Sequence, residues 1–449
     1  MSARRALGVS ALLAASTLQA QSLAPFQLVR SDEDWRVLRD HPDAAPAYKY
    51  QALTDDGAIW ISFGGEVRER LDTLDAPRYG IQRKADNYLL QRVMMHADLH
   101  LGERVRVFAQ LSGDDAVGKK SPLAPSDTDR GDVQNLFVDV NAGAARWRFG
   151  RQELLFNPTQ RFVSVREGPN VRQSFDGGRA TWHLGGWAVD AFAMQPVRYA
   201  AGAFDDRNDN HQAFYGAYAS TTLAASARVD AYVMGLQRDA VAFGTDHGDE
   251  RRDSAGLRLA GQHGRVDYDL EGLTQWGRLG AADIHAWGFG AIAGYTFAGT
   301  LAPRWGLEAD VGSGDDARRA NRVGTFNPLF PKGAYFDESG LLSWANSIVL
   351  RPSFSLQPRA NLSLRASVIA HWRENVRDAV YLQPYAALPQ TLGNTARRVG
   401  QAYELDATWR CGRGLSVNAE IAHHEAGPAI TRAGGRDSDF AMLSAQFRY

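Results

Sequence analysis

The sequence predicts an all-β protein, a transmembrane antiparallel β-barrel of about 18 strands of the bacterial outer-membrane type. Three observations predict this fold. Short runs of alternating apolar and polar residues recur along the chain, whereas apolar stripes of helical period are nearly absent. Tight and long links alternate between these runs. After the N-terminus, no stretch approaches the roughly 18 to 20 consecutive apolar residues that a membrane helix needs.

The chain begins with the pattern of a secretory signal peptide, predicted for residues 1–20. Arg4 and Arg5 precede a short apolar run, and the small residue Ala20 precedes the expected cleavage point. The mature chain is therefore expected to be exported. Its single cysteine, Cys411, excludes an internal disulfide framework.

The next segment, residues 21–57, is polar and is predicted to be a periplasmic lead-in without chemistry of its own. Ser31 is predicted to cap a short helix over residues 32–39, because a serine hydroxyl can accept from the free backbone N–H groups of a first turn. The barrel is predicted to occupy residues 58–449.

Each alternating run gives one apolar face and one polar face, because side chains of a strand have a period of two. Such a wall separates lipid from an aqueous lumen. A soluble β-sandwich also alternates, and it is the competing fold. The predicted lipid-facing residues include Phe63, Val67, Leu71, Val93, Met95, Leu364, Val368, Leu443 and Phe447, and the predicted lumen-facing ones include Glu66, Arg68, Arg70, Arg92, His96 and Arg365.

The link lengths distinguish the two folds. Links after even-numbered strands are tight, and most links after odd-numbered strands are long, with 278–282 as a short exception. Short periplasmic turns and long outer loops are the outer-membrane arrangement, which a sandwich has no reason to follow. An even strand number also places both termini in the periplasm. The long links are predicted at residues 114–132, 152–170, 196–211, 239–252, 313–343, 374–397 and 425–437.

Residues 146–179 are the candidate functional stretch. They hold seven arginines and three acids in a chain with a formal net charge of −1. Arginine stays charged at any relevant pH, and its planar donors match carboxylate and phosphate oxygens, so the stretch is a candidate anion site. Because 45 of the 50 basic residues are arginine, general composition is the alternative explanation. The seven are Arg146, Arg148, Arg151, Arg161, Arg166, Arg172 and Arg179.

The parity of this stretch makes a specific geometric prediction. If Arg148 lies on the inner face, strict alternation turns Arg151 outward. The strand is therefore expected to end or bulge near Gly150, so that Arg151 swings inward.

The connection that follows, residues 153–172, is predicted to fold inward and to carry its arginines into the pore. Asp176 is predicted to pair with one of them and to hold it in place. The full set of pore-lining or substrate-binding residues is predicted to be Arg68, Arg92, Arg148, Arg151, Arg161, Arg166, Arg172, Asp176 and Arg179.

Four segments of the chain resemble the alginate-export outer-membrane porin family: GRQE at 150–153, QRF at 160–162, REGPNVRQSFDG at 166–177 and TFNPLFP at 325–331. The resemblance extends from about Ile59 to Tyr449. It implies an 18-stranded monomeric barrel in the bacterial outer membrane. The lumen of such a barrel is narrowed by inward loops and by an arginine-rich constriction through which an anionic polysaccharide passes.

Other functions are weighed against this one. A general or anionic-nutrient uptake porin would use the same arginines, because rings of arginine select anions. An outer-membrane hydrolase is disfavoured, since no serine or cysteine stands at motif spacing from a histidine. A closed structural barrel is disfavoured by the charged inner face. The expected partners are an anionic polysaccharide or small anionic solutes and membrane lipid, with a periplasmic export or gating partner left open. No cofactor and no nucleic acid are expected.

An acidic segment in the predicted long link at 114–132 has two interpretations. Clustered carboxylates could hold calcium, a hard cation that prefers oxygen ligands. A solvated outer loop is the alternative, and no metal ligands are assigned. The acids are Asp114, Asp115, Asp127, Asp129 and Asp132.

Overall fold

Eighteen long strands form one closed antiparallel barrel in the described part of the chain, which confirms the predicted fold class. The computed structural model describes residues 26–81, 84–224, 226–243, 246–316 and 321–449. The predicted signal peptide lies outside the described residues. No helix in those ranges is long and apolar enough to cross a membrane.

The barrel strands follow one another around the wall, and the first closes the barrel by pairing with the last, with Leu71 opposite Leu443. The strands are β1 (Ile59–Leu74), β2 (Asp86–Leu101), β3 (Val105–Val117), β4 (Asp129–Ala142), β5 (Ala145–Gln152), β6 (Phe175–Leu184), β7 (Trp187–Arg198), β8 (Gln212–Ala224), β9 (Ala227–Phe243), β10 (Asp246–His263), β11 (Val266–Leu279), β12 (Ala282–Thr296), β13 (Arg304–Gly312), β14 (Ser347–Arg359), β15 (Leu362–Trp372), β16 (Arg398–Cys411), β17 (Leu415–Ala426) and β18 (Ser438–Arg448).

Regular structure between the barrel strands is short. The single described α-helix, α1 (Pro428–Thr431), has four residues. Short strands lie at Gln51–Ala52, Arg207–Asn208, Arg322–Val323, Val380–Leu382 and Ala386–Leu388, and 3₁₀ turns lie at Arg30–Asp32, Arg36–Arg39, Pro42–Ala44, Ala47–Lys49, Pro77–Gly80 and Pro389–Thr391.

The two faces of the wall are those that the alternation predicts. On the outer face, Leu71 is 48% exposed and Leu443 is 54% exposed, whereas the inner-face residues Glu66, Arg68 and Arg92 are almost fully buried. A soluble sandwich would bury its apolar residues and expose its charged ones. The reverse distribution therefore excludes the sandwich, because the exposed apolar belt requires lipid.

We expect Leu364→Arg to impair assembly of the barrel. Leu364 is 38% exposed on the outer face, and an arginine facing lipid near the middle of the membrane costs roughly 2 to 4 kcal/mol. Arg365→Ala is the matched control, because the adjacent Arg365 points inward and pairs with Asp406. The fraction of heat-modifiable, folded barrel in outer-membrane preparations measures the effect. Equal yields for the two variants would contradict the assignment of faces.

The predicted long link at 239–252 is wrong. β9 continues to Phe243 and β10 begins at Asp246, and the two strands stay paired to these residues, with one register shift between Arg238 and Val241. The polar residues of this region suggested a loop. They belong to strands instead, where Glu250 forms ion pairs with both Arg238 and Arg252 on the inner face. The short link at 278–282 is confirmed, since β11 and β12 are joined through residues 280 and 281.

The polar lead-in packs against the barrel end that carries the short links, called the tight-turn end below. Arg413, in the turn between β16 and β17, donates to the Ala44 carbonyl (2.8 Å). The predicted helix over residues 32–39 is wrong, and so is the cap: the segment forms separate 3₁₀ turns, and neither of the first two has a side-chain cap. Ser31 contacts the barrel instead, because its carbonyl accepts from Arg106 (2.8 Å).

Candidate functional site

The connection between β5 and β6, residues 153–174, lies inside the barrel. Arg161 in this connection reaches Asp269 on the inner face of β11, with Nη1 2.5 Å from Oδ1. Farther along it, the Asn170 amide donates to the carbonyls of Gln91 and Asp127 at the β2–β4 wall (3.0 Å each). The connection therefore spans the lumen from one wall to another.

A second connection, residues 313–346 between β13 and β14, also fills the lumen, although the sequence predicts it as an outer loop. Its Phe326 and Trp344 pack against Phe162, with ring centroids 5.6 and 5.3 Å away. The Phe330 N–H donates to the Phe162 carbonyl (2.9 Å). The apolar residues of TFNPLFP were the available signal, because a solvated loop has no need of them.

At the centre of the lumen, one loop carboxylate is shared by two arginines. Arg92 Nη2 lies 2.7 Å from Glu66 Oε1 and 2.5 Å from Glu167 Oε1. Arg172 Nη1 lies 3.2 Å from Glu167 Oε2, and its Nε lies 2.9 Å from Glu153 Oε1. Both guanidinium groups are buried, so these pairs are little screened by water.

Two further arginines have no carboxylate within 4 Å among the described residues: Arg68 and Arg166. Arg68 donates to the carbonyls of Glu167 (2.6 Å) and Pro169 (3.0 Å), and it is 4% exposed. Arg166 donates to the Gln173 amide oxygen (3.3 Å) and lies over the ring of Phe330. Neither guanidinium group is therefore in a direct ion pair within the described part of the chain.

The other three inward-facing predicted arginines are each paired with acids of the wall. Arg148 and Arg179 lie on the inner face directly opposite one another in β5 and β6, and Arg161 reaches the wall from the connection. The distances are 2.7 Å for Arg148–Asp139, 2.8 Å for Arg179–Asp190 and 3.3 Å for Arg161–Glu271.

The predictions for Arg151 and Asp176 are wrong in two respects. β5 pairs with β6 without a register shift through Gln152, so no bulge turns Arg151 inward. Arg151 pairs directly with Leu136, which is half exposed on the outer face, and directly opposed residues share a face. Asp176 pairs with Arg151 (2.9 Å) and not with an arginine of the inward connection. Gly150 has a backbone φ angle of 126°, a value that glycine adopts more readily than other residues because it has no Cβ atom.

Sequence reasoning missed the acids that hold the arginines. The available signal was parity, since these acids share the inner face with the arginines they pair with or stand in the same inward connection. Their pairing could not be predicted, because it depends on which strands face each other across the lumen. The acids are Glu66, Asp139, Glu153, Glu167, Asp190, Asp269 and Glu271.

The lead-in reaches the same network from the tight-turn end. Arg172 Nη2 donates to the Leu28 carbonyl (2.9 Å). Arg30, 2% exposed, donates to the carbonyls of Gly65 (2.7 Å) and Tyr449 (3.0 Å), and Lys49 also donates to Tyr449 (3.0 Å). Burial lowers the pKa of Lys49 to about 8, although the nearby carboxylate of Glu33 opposes the shift. The segment therefore enters the lumen and meets the inward connection.

The acidic residues of the predicted link at 114–132 do not form one cluster. Asp127 pairs with Lys119 (2.7 Å), whereas Asp132 lies with Asp205 and Asp206, whose ligand oxygens lie within 4.8 Å of one another. Burial, and after it the carboxylates of Asp132 and Asp205, raise the pKa of Asp206 to about 6 against an opposing backbone hydrogen bond. The five acids for which calcium binding was one of two interpretations are therefore not brought together as a set.

Comparison with known proteins identifies the family. A family model described as Alginate export matches residues 59–444. Among solved structures, Pseudomonas aeruginosa OccK8 (OprE) matches with a TM-score of 0.58 at 12% identity, over 87% of this chain and 98% of that one. Acinetobacter baumannii OccAB1 matches with a TM-score of 0.59 at 12% identity, over 90% and 98%.

A third structure, Pseudomonas aeruginosa OccK2 (OpdF) in complex with glucuronate, matches with a TM-score of 0.57 at 10% identity, over 86% of this chain and 97% of that one. At these identities the solved structures support the fold alone. No sequence among the curated proteins matches the chain. The family match covers nearly the whole barrel, and the chain therefore belongs to the Alginate export family and is a β-barrel channel of the bacterial outer membrane.

Proposed function

We propose that the channel passes an anionic polysaccharide of the alginate type, or related anionic solutes, through the arginines of its lumen. The observation that carries this proposal is the pair Arg68 and Arg166, which have no carboxylate within 4 Å among the described residues. A buried charge without a partner is costly, and a visiting anion offsets that cost. The seven inward arginines of the predicted set are the proposed binding residues.

Glu167 suggests how an anionic sugar is held. Its carboxylate accepts a hydrogen bond from Arg92 and forms an ion pair with Arg172, which are the contacts that a uronate carboxylate would make. A substrate carboxylate entering the network competes with Glu167 for these donors. Because Arg92 and Arg172 each have a second acidic partner besides Glu167, the substrate is bound by exchangeable contacts and can move from one to the next.

Passage requires the inward segments to move. Arg92, Arg161 and Arg172 are at most 1% exposed, so the conformation described is closed at the arginine network. The lead-in covers the tight-turn end of the barrel. In outer-membrane barrels the end with the short turns faces the periplasm. An export substrate would meet the lead-in first and the arginine network second.

The second candidate is an uptake channel for small anionic nutrients. It would use the same lumen arginines, and the OccK2 structure, which shares the fold, was solved with glucuronate, a single sugar acid. The two candidates differ in whether the bound anion is a chain or a monomer.

Planar-bilayer recordings test the proposal. We expect reversal potentials in a salt gradient to show anion preference, and oligomers of an acidic sugar to block the current. Neutral oligosaccharides of equal length are the matched control and should block much less. Block that strengthens with chain length supports polymer transport, whereas equal block by the monomer supports nutrient uptake. A channel without anion preference that both oligomers block equally would contradict both candidates.

A further inference from the structure

A second charged site lies in the lumen beside the arginine network. A cavity of about 380 Å³, called the lumen chamber below, lies between the inner face of β13–β18 and the connection of residues 313–346. Its charged lining has excess negative charge, with six acids and three bases. The acids are Glu308, Asp337, Glu338, Glu404, Asp406 and Glu420.

Most of these acids have a basic partner. Arg351 lies 2.5 Å from Glu404 and 3.7 Å from Glu308, and Arg365 lies 2.7 Å from Asp406. Glu338 pairs with Arg70, from the β1 wall, at 2.5 Å. Among the described residues, no lysine or arginine lies within 4 Å of the two remaining acids, Asp337 and Glu420.

Asp337 is the more constrained of the two. Asp337 is 3% exposed, and its Oδ1 accepts hydrogen bonds from the backbone N–H (2.9 Å) and the hydroxyl (2.6 Å) of Ser339. Its Oδ2 has no hydrogen-bond partner, and His424 Nε2 is 3.5 Å away. Glu420, 6% exposed, accepts only from the Glu338 N–H (2.9 Å) among the described hydrogen bonds. A buried carboxylate oxygen without a partner therefore forms part of the wall of a cavity large enough for water.

Two neighbouring carboxylates without a positive partner are unfavourable in a low-dielectric lumen. We propose that the lumen chamber binds a divalent cation, with Mg²⁺ as the fitting ion, held by Asp337 and Glu420. Two positive charges match the two unpaired carboxylates.

The size of the lumen chamber fits an ion with its water shell. Mg²⁺ dehydrates reluctantly and is usually held by one or two carboxylates plus several waters. Six waters of about 30 Å³ each occupy less than half of the cavity volume. Within the described ranges, three carboxylate oxygens come within 4.8 Å of one another only at Asp132, Asp205 and Asp206, so the lumen chamber is not a compact dry chelate.

A cation in the lumen chamber has a structural consequence. Asp337 belongs to the inward connection of residues 313–346, whereas Glu420 belongs to β17. The ion therefore holds that connection against the wall. Its release removes this attachment and leaves two like charges facing one another.

The test uses the full mature chain folded in detergent and freed of metal with a chelator. Mg²⁺ is titrated at pH 8, where histidine with its ordinary pKa of about 6.5 is neutral, at constant ionic strength. We expect calorimetry to show a site that the double variant Asp337→Asn/Glu420→Gln weakens at least tenfold. Added Mg²⁺ should raise the melting temperature of the unaltered protein and leave that of the double variant unchanged.

The cluster of Asp132, Asp205 and Asp206 provides the decisive control, because it could also bind Mg²⁺. Asp205→Asn/Asp206→Asn should leave the lumen-chamber site intact. Loss of binding in this control variant, with binding retained in Asp337→Asn/Glu420→Gln, would assign the ion to that cluster and overturn the proposal. Absence of binding in the unaltered protein would overturn it as well, and would indicate that protons neutralise Asp337 and Glu420.

Discussion

Removing residues 26–57 from the mature chain should raise the single-channel conductance several-fold. These residues fill the tight-turn end of the lumen, and their contacts are made to groups that belong to the barrel itself. Arg30 and Lys49 both donate to the Tyr449 carbonyl at the end of the chain. Without residues 26–57, the Tyr449 carbonyl faces water. The lumen is then open from the tight-turn end as far as the connection between β5 and β6.

The expected increase in conductance follows from where the lead-in lies, since its described hydrogen bonds to the inward arginines are few: the Leu28 carbonyl accepts from Arg172 and the Ser31 hydroxyl from Arg148. Arg172 keeps its carboxylate partners Glu153 and Glu167 after the deletion, so the network should persist. Anion preference should therefore survive while conductance rises. Bilayer recordings of the truncated and complete barrels measure both quantities.

Point variants test whether loosening the lead-in from the barrel has the same effect on conductance as removing it. Arg30→Met with Lys49→Met removes the donors to the barrel and should give frequent openings. Arg36→Met is the matched control, because Arg36 is mostly exposed and pairs with the exposed Asp34. A truncated barrel that assembles normally and conducts like the complete chain would show that the inward connections alone close the lumen.

The barrel was predictable from sequence because each of its determinants is local. A lipid-facing residue such as Val93 or Leu443 needs only its parity and its strand, and both are found as predicted. The prediction at 239–252 failed because the polar residues of this segment were assumed to be solvated in a loop. Glu250 instead forms an ion pair with Arg238, its direct partner on the neighbouring strand β9.

The arrangement of the lumen was less predictable. The inward course of the β5–β6 connection follows from arginines that need acidic partners, and the structure places it there. The partners themselves required the closed barrel, since Arg161 meets Asp269 from a strand more than 100 residues away. Arg151 shows the limit of the argument, because a local salt bridge to Asp176 satisfied it on the outer side without any bulge.

Glu167→Gln should strengthen block by an acidic oligosaccharide roughly tenfold or more, because hydrogen bonds to charged groups contribute about 1.5 to 3 kcal/mol. The substitution keeps the shape of the side chain and removes the carboxylate that Arg92 and Arg172 share. Both arginines keep one acid, Glu66 and Glu153, so the network should not collapse. The concentration of oligomer that halves the single-channel current measures the effect.

The converse variant is Arg68→Gln, which should weaken the same block. Arg68 is suited to this test because it has no carboxylate partner within 4 Å among the described residues, so its neutralisation leaves no acid buried alone. Glu69→Gln is the matched control, because Glu69 lies one residue away on the outer face and contacts Gln91. If Glu167→Gln weakens block or leaves it unchanged in an assembled barrel, Glu167 does not compete with the substrate, and its role is to fix the inward connection in the lumen.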